Sequence, residues 1–397
     1  MPYFVKNGFW MILEKAFLIA KGFLLSLLFA NLLDKEIFGQ YQYVLSILGI
    51  MSSLILPGMS VSVIQAVAKG REKTYNSSIK MMIRWGILGS IALLLVSFYS
   101  FYAGQRSIAL ILLAFVWIFP FYGTMNMWRS YYTGKEWFGK MAWHSLLSEA
   151  FTLMALVLAV YFFDSLAVLV FAATIIPMLF YGYYTQKTLS LSGAGSEDST
   201  DLEYGKKLSF VYGISIVAGY IDKLVVGQFL GFSELALYAI VSVIPDQIKS
   251  GMRIFLTLLL PKFSKIENTE KNRRFVLKNI IRLLFLSTLI VGAYIFAVPF
   301  LFKWFFPKYA EGIIYSQVIA AGFILTPFMI IDSFFRAHKK NKAISRSTLW
   351  GNGIGIVIAV LAIPVWGIWG AVISKIANIG INSFYLLFVF ITKRDEN

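Results

Sequence analysis

Residues 69–103 read KGREKTYNSSIKMMIRWGILGSIALLLVSFYSFYA. The first half carries five cations, Lys69, Arg71, Lys73, Lys80 and Arg84, and the second half is almost unbroken hydrocarbon. From Ile87 to Val96 polar and apolar residues do not alternate, so this is not a strand of a membrane barrel. Its length matches a helix that crosses a bilayer. In lipid a helix satisfies its own backbone polar groups, which an isolated strand does not.

Segments of this kind recur along the whole chain, at 8–31, 40–64, 82–103, 107–128, 141–162, 165–186, 209–230, 235–260, 281–302, 313–335, 347–365 and 367–391. The expected fold class is an all-α polytopic membrane protein of about twelve transmembrane helices in two six-helix bundles. A chain of 397 residues is long enough for two or three soluble domains, but 58% of its residues are hydrophobic and only 14% are charged. No soluble fold hides that much apolar surface.

The cations set the orientation. Of 36 Lys and Arg, 26 lie in alternate connections and the tails. The intervening connections hold four, Lys35, Arg106, Lys303 and Lys308. The basic connections follow even-numbered spans, so they and both termini are expected in the cytoplasm. Trp85, Trp128, Trp137, Trp143, Trp304, Trp350 and Trp366 fall near span ends, where interfacial anchors belong. The net charge of +16 is dispersed over short loops, with no recognition helix and no aromatic platform, so no nucleic-acid partner is expected.

The longest polar stretch, 189–207, contains Ser-Gly-Ala-Gly-Ser-Glu-Asp-Ser-Thr-Asp. It reads as a flexible cytoplasmic linker between an N-terminal six-helix bundle, 1–188, and a C-terminal one, 208–397. A short internal echo accompanies this division. Residues 33–41, LDKEIFGQY, follow span one, and residues 230–238, LGFSELALY, follow span seven. Both are tight outer turns with an acidic residue and a Tyr that opens the next helix. Repeats with an even number of spans share their orientation.

Catalytic and metal chemistry find little support. Cysteine is absent, which excludes disulfides and Cys-ligated metals. The two histidines, His144 and His338, have no zinc spacing. No phosphate-binding loop is present, so ATP does not drive the chain directly. The acidic residues are scattered over different helices. No cofactor, no metal and no enzymatic activity are expected. The first apolar stretch is long and interrupted by Glu14, Lys15 and Lys21, unlike the short core of a cleavable signal.

Six cations fall inside apolar segments: Lys15, Lys21, Lys223, Lys249, Arg253 and Lys375. A charge at bilayer depth costs roughly 2.5–3.5 kcal/mol on insertion scales, so such groups are paired or used. Glu14 and Lys21, seven residues apart, share a face of span one. Asp246, Lys249 and Arg253 share a face of span eight, and Pro245 is expected to loosen or kink that helix. Two such stripes at matching positions suit the lining of one polar cavity. Lys21 and Lys249 lie nearest mid-span, and Lys223 lies in the outer half of span seven. The bland readings stand beside this one. Glu14, Lys15, Arg253 and Asp332 can snorkel to the interface. Asp222 can be a simple counter-ion, Glu149 a buried hydrogen-bonding group and His144 an interfacial side chain.

The pattern resembles Wzx-type O-antigen or polysaccharide-repeat flippases, in the superfamily that also contains MATE exporters and the MurJ lipid II flippase. The likeness spans nearly the whole chain. It is carried by residues 34–41 (DKEIFGQY), 56–59 (LPGM), 65–70 (QAVAKG), 220–227 (YIDKLVVG) through Tyr238, and 260–264 (LPKFS). Twelve spans rather than MurJ's fourteen favour the Wzx side. The resemblance implies a V-shaped pair of bundles in a bacterial inner membrane, alternating around a cationic cavity. The implied cargo is an oligosaccharide on undecaprenyl diphosphate, moved to the periplasmic leaflet. A polysaccharide polymerase and a chain-length regulator are implied partners, alongside membrane lipids. On this reading Lys21, Lys223, Lys249 and Arg253 contact the diphosphate or acidic sugars. Asp222, Asp246 or Glu149 would couple a proton or ion gradient. A cation exporter of the same architecture would want acidic cavity residues instead. A membrane enzyme on lipid-linked sugars would want larger outer loops.

Overall fold

A computed structural model describes residues 2–163, 165–192, 196, 198–263, 270–337 and 341–392; side chains are described except at 2–7, 252–263, 270–275, 336–337 and 341. His338 and Lys393 lie outside the described residues, and the Arg253 side chain lies outside the described side chains.

The described chain is helical, and no strand occurs among the described residues. Its helices are α1 (Pro2–Leu32), α2 (Lys35–Ser52), α3 (Met59–Ala68), α4 (Lys73–Tyr102), α5 (Arg106–Tyr122), α6 (Trp128–Gly134), α7 (Phe138–Phe162), α8 (Leu166–Leu191), α9 (Ser199–Phe229), α10 (Phe232–Phe263), α11 (Glu270–Phe305), α12 (Ile313–Gly322), α13 (Met329–Ala337), α14 (Asn341–Trp366) and α15 (Ile368–Thr392). Among the described residues nine helical segments are long and apolar enough to span a membrane. A bent pair, Lys35–Ile55 with Met59–Ala68, makes a tenth. The remaining two segments of the sequence are α1 and α10, helices of 31 and 32 residues that carry the charged stripes. The twelve spans are therefore all helical.

Three spans are interrupted where proline and glycine sit. Span two bends by 51°. There Leu56 takes left-handed backbone angles (φ 54°), and Pro57, which lacks an N–H, follows it. Span four passes from α5, which contains Pro120, through a 3₁₀ turn at Thr124–Met127 into α6. Span ten passes from α12 through a 3₁₀ turn at Phe323–Phe328, containing Pro327, into α13. Pro245 lies within α10, which is helical on both sides of it.

The chain divides into two compact units, Met1–Tyr220 and Ile221–Asn397. In the first, α4 packs along α5, α1 along α7, α7 along α8 and α3 on α6. In the second, α14 packs along α15, and α10 lies on α12 and α13. The α14–α15 contact is close because small residues permit it. Gly351 and Gly355, one turn apart on α14, face Asn382 and Asn378 of α15, and a Cβ at Gly351 would come within 2.2 Å of the Asn382 amide nitrogen. Asn378 donates to the Gly351 carbonyl and to Asn352, and Ser374 donates to the Gly355 carbonyl.

The polar stretch at 189–207 is described apart from 193–195 and 197. Most of that stretch is helix, since α8 runs to Leu191 and α9 starts at Ser199. The start of α9 is tied to the first unit. Arg71 donates to Asp198 at 3.1 Å and Asp201 at 2.6 Å, and Ser62 donates to the Asp201 carbonyl. Hydrogen bonds from Thr200, and the nearby charges of Arg71 and Lys69, hold the Asp198 carboxyl below its usual range. Between α3 and α4, burial pushes the Glu72 carboxyl up, but hydrogen bonds from Lys135 and Tyr131 outweigh it and leave it lowered.

Large apolar side chains cover the outside of both units; Trp117 is 82% and Phe296 81% exposed. A surface of this kind needs lipid to cover it. Trp85, Trp143, Trp304, Trp350 and Trp366 are exposed near the ends of the spans read from the sequence, as anchors should be. Trp128 is not an anchor: it is fully buried among Tyr132, His144 and Tyr184. His144 stacks on Tyr184 at 4.1 Å.

The charge asymmetry of the loops yields the first prediction. Reporter fusions after Ser196 should report cytoplasm and fusions after Phe163 should report periplasm; the reverse pattern would overturn the topology.

Candidate functional site

Most of the described charges at membrane depth gather into networks within each unit. In the N-terminal unit, α1 presents Glu14 and Lys21 to α7. Two turns separate them on α1, and one turn separates their partners Ser145 and Glu149 on α7. Lys21 Nζ donates to Glu149 Oε2 at 2.5 Å. The Tyr181 hydroxyl of α8 donates to the other oxygen of Glu149 at 3.0 Å. Glu14 is 2% exposed. Its Oε1 accepts from Arg129 Nη2 at 2.5 Å and from Ser145 Oγ at 2.8 Å. Arg129 Nη1 donates to Ser145 Oγ at 2.7 Å, which closes a triangle of α1, α6 and α7. Every charge in this network has an opposite partner.

The C-terminal unit carries the second network on α9, α10 and α15. Lys375 Nζ donates to Asp246 Oδ2 at 2.8 Å. Its ammonium also lies 5.8 Å from the centre of the Tyr238 ring. Tyr238, fully buried, donates its hydroxyl to Asp222 Oδ2 at 2.5 Å. The other oxygen of Asp222 accepts the backbone N–H of Lys223 at 2.8 Å. Lys223 is half-buried and lies within electrostatic range of Asp222, Lys375 and Asp246. Lys249, one turn past Asp246 on α10, lies 5.5 Å from the centre of the Phe323 ring, a cation–π distance. Among the described residues, three ammonium groups thus stand with two carboxylates on these helices and the neighbouring turn of α10. Ammonium groups of this kind suit an anion.

The residues singled out in the sequence fall into place unevenly. Lys223, Lys249, Asp222 and Asp246 belong to the C-terminal network. Lys21 and Glu149 belong to the N-terminal one, as each other's partners. Glu14 does not snorkel, because it is buried and paired. Lys15 is exposed. Arg129 escaped the sequence reading, which placed it in a cytoplasmic loop; it lies on α6 and neutralises Glu14. Tyr181, Tyr238 and Lys375 were missing from the candidate set as well. Lys375 was visible as a cation inside an apolar segment. The two tyrosines carry no such signal.

These helices and charges have known relatives. The family model described as polysaccharide biosynthesis protein matches residues 4–267. The chain belongs to the polysaccharide biosynthesis protein family. No curated protein matches it in sequence. Among solved structures, it is similar to the lipid II flippase MurJ in an inward closed conformation, with 14% identity and a TM-score of 0.74 over 98% of this chain and 89% of that one. It is also similar to an inward-facing multidrug resistance MATE family transporter of the MOP superfamily, with 12% identity and a TM-score of 0.71 over 96% and 94%. A MATE protein in complex with Br-NRF gives 12% identity and a TM-score of 0.59 over 99% and 96%. At these identities the likeness is one of fold: an all-α polytopic membrane protein of about twelve helices in two bundles.

For this polysaccharide biosynthesis protein the Glu14–Arg129–Ser145 triangle makes a stability prediction. Arg129→Met leaves a buried carboxylate without its cation and should destabilise by about 3–5 kcal/mol. Glu14→Gln together with Arg129→Met should recover part of that loss. Thermal unfolding in detergent measures both; equal losses in the single and double variants would contradict the pairing.

Proposed function

We propose that the chain is a flippase for undecaprenyl-diphosphate-linked oligosaccharide repeat units, of O-antigen or a related surface polysaccharide. It moves them from the cytoplasmic to the periplasmic leaflet of a bacterial inner membrane by alternating access. Both termini lie in the cytoplasm, and an ion or proton gradient drives the cycle. The observation that carries this reading is the cation-rich cluster of Lys223, Lys249 and Lys375 within a chain of the polysaccharide biosynthesis family.

The chemistry of the cargo fits the cluster. A diphosphate carries more charge than one carboxylate, and ammonium groups in a partly desolvated setting are its natural complement. Lys21, Lys223, Lys249 and Arg253 are the proposed contacts for the diphosphate or acidic sugars. Asp222, Asp246 and Glu149, each beside a lysine, are the proposed coupling groups. The isoprenoid tail remains in the bilayer while the polar head crosses. A polymerase and a chain-length regulator would receive the product. A multidrug or cation exporter of the MATE kind would call for an acidic site, and the lysines Lys223, Lys249 and Lys375 speak against it.

Neutral substitution of Lys21, Lys223, Lys249 and Arg253 together should abolish surface polysaccharide assembly in a strain that depends on this chain, at normal protein levels. Assembly that survives the quadruple change would refute the assignment.

A further inference from the structure

The Lys375–Asp246 pair links α15 to α10 in the C-terminal unit, and its two members are unequally buried. The Lys375 side chain is 14% exposed and that of Asp246 is 44% exposed. The lysine is thus mostly enclosed, and the aspartate sits at the exposed edge of the same contact. Among the described residues the Asp246 carboxylate accepts one side-chain hydrogen bond, from Lys375. The N-terminal pair is built differently. Glu149 is 18% exposed and is held at both oxygens, by Lys21 and by Tyr181. Glu149 is clamped, whereas Asp246 is held by one contact.

We propose that Asp246 is a built-in competitor for Lys375: it occupies the ammonium while the site is empty, and the diphosphate of the ligand displaces it. This rests on the reading of the chain as a carrier of a lipid-linked diphosphate, and it adds Lys375 to the residues that bind the head group. An unpaired ammonium at this depth would be unfavourable, so the empty site needs a resident anion. A diphosphate brings more negative charge than the single carboxylate it replaces. Lys223 lies within electrostatic range of both members of the pair, and Lys249 is one turn further along α10. The arriving anion therefore gains more than one cation, and Asp246 turns toward water from its exposed edge. The competition also limits affinity. A carrier must release what it binds, and a site that re-forms an internal ion pair on release holds its ligand less tightly.

The test is a calorimetric titration of the purified full chain in nanodiscs at constant ionic strength, with geranylgeranyl diphosphate and with inorganic pyrophosphate as probes. Asp246→Asn should bind both probes about tenfold more tightly than the unaltered chain, because the internal competitor is gone. Lys375→Met should weaken both, and Asp246→Asn combined with Lys375→Met should bind no more tightly than Lys375→Met alone. Asp246→Ser carries the same expectation should Asp246→Asn fail to fold. Unchanged or weaker binding by the neutral Asp246 variants overturns the proposal. So does tightening confined to the prenylated probe, since the diphosphate alone senses Asp246. Absence of binding by any form overturns it too. The titration reads head-group binding without translocation. A chain that shows the pattern and moves no lipid-linked saccharide contradicts the proposed function only. A chain that moves the saccharide without the pattern contradicts the competition only.

Discussion

Lipid offers no partner to a charge, and that constraint organises both units. The buried charges of the N-terminal unit are matched across helices: Glu14 on α1 by Arg129 on α6, and Lys21 on α1 by Glu149 on α7. The pairs set register as well as charge balance. Glu14 and Lys21 meet Ser145 and Glu149 only if α1 and α7 run in the same direction, as the first and fifth spans of an alternating chain must. In the C-terminal unit the same constraint draws α9, α10 and α15 together through Asp222, Tyr238, Asp246 and Lys375. Apolar packing joins the helices elsewhere in the unit, as in the cluster of Val276, Ile280, Ile330, Phe334 and Phe390.

The two units differ in what their charges leave over. The N-terminal network is neutral, whereas the C-terminal one holds Lys223, Lys249 and Lys375 against Asp222 and Asp246. A neutral network ties helices together. A network with a half-exposed carboxylate can exchange partners as well. This is why the proposed head-group chemistry centres on the C-terminal unit, although the sequence points equally to Lys21 and Lys249.

The spans were legible because hydrocarbon length and loop charge report directly on a bilayer, and each of the twelve segments is helical. The shared face of Glu14 and Lys21 was legible from their spacing. The partners were not, because a pair between helices leaves no trace in the spacing of either helix. Arg129 follows a break at Gly123–Met127, so it read as a loop cation although the chain resumes as helix around it. Trp128 read as an anchor for the same reason and is buried. Pro57, preceded by the left-handed Leu56, bends span two by 51°. The polar run at 189–207 read as linker from composition alone, yet Arg71 holds Asp198 and Asp201 where α9 begins.

The central claim is that the membrane-depth lysines serve the passage of an anionic, lipid-linked head group. Its most direct test is reconstitution of the purified chain in proteoliposomes loaded on one leaflet with a fluorescent undecaprenyl-diphosphate-linked saccharide. Exposure of that saccharide to an impermeant quencher on the other side reports its transfer. The account predicts transfer that depends on the chain. Absence of transfer, in vesicles where the same chain exports a lipophilic cation, would contradict it.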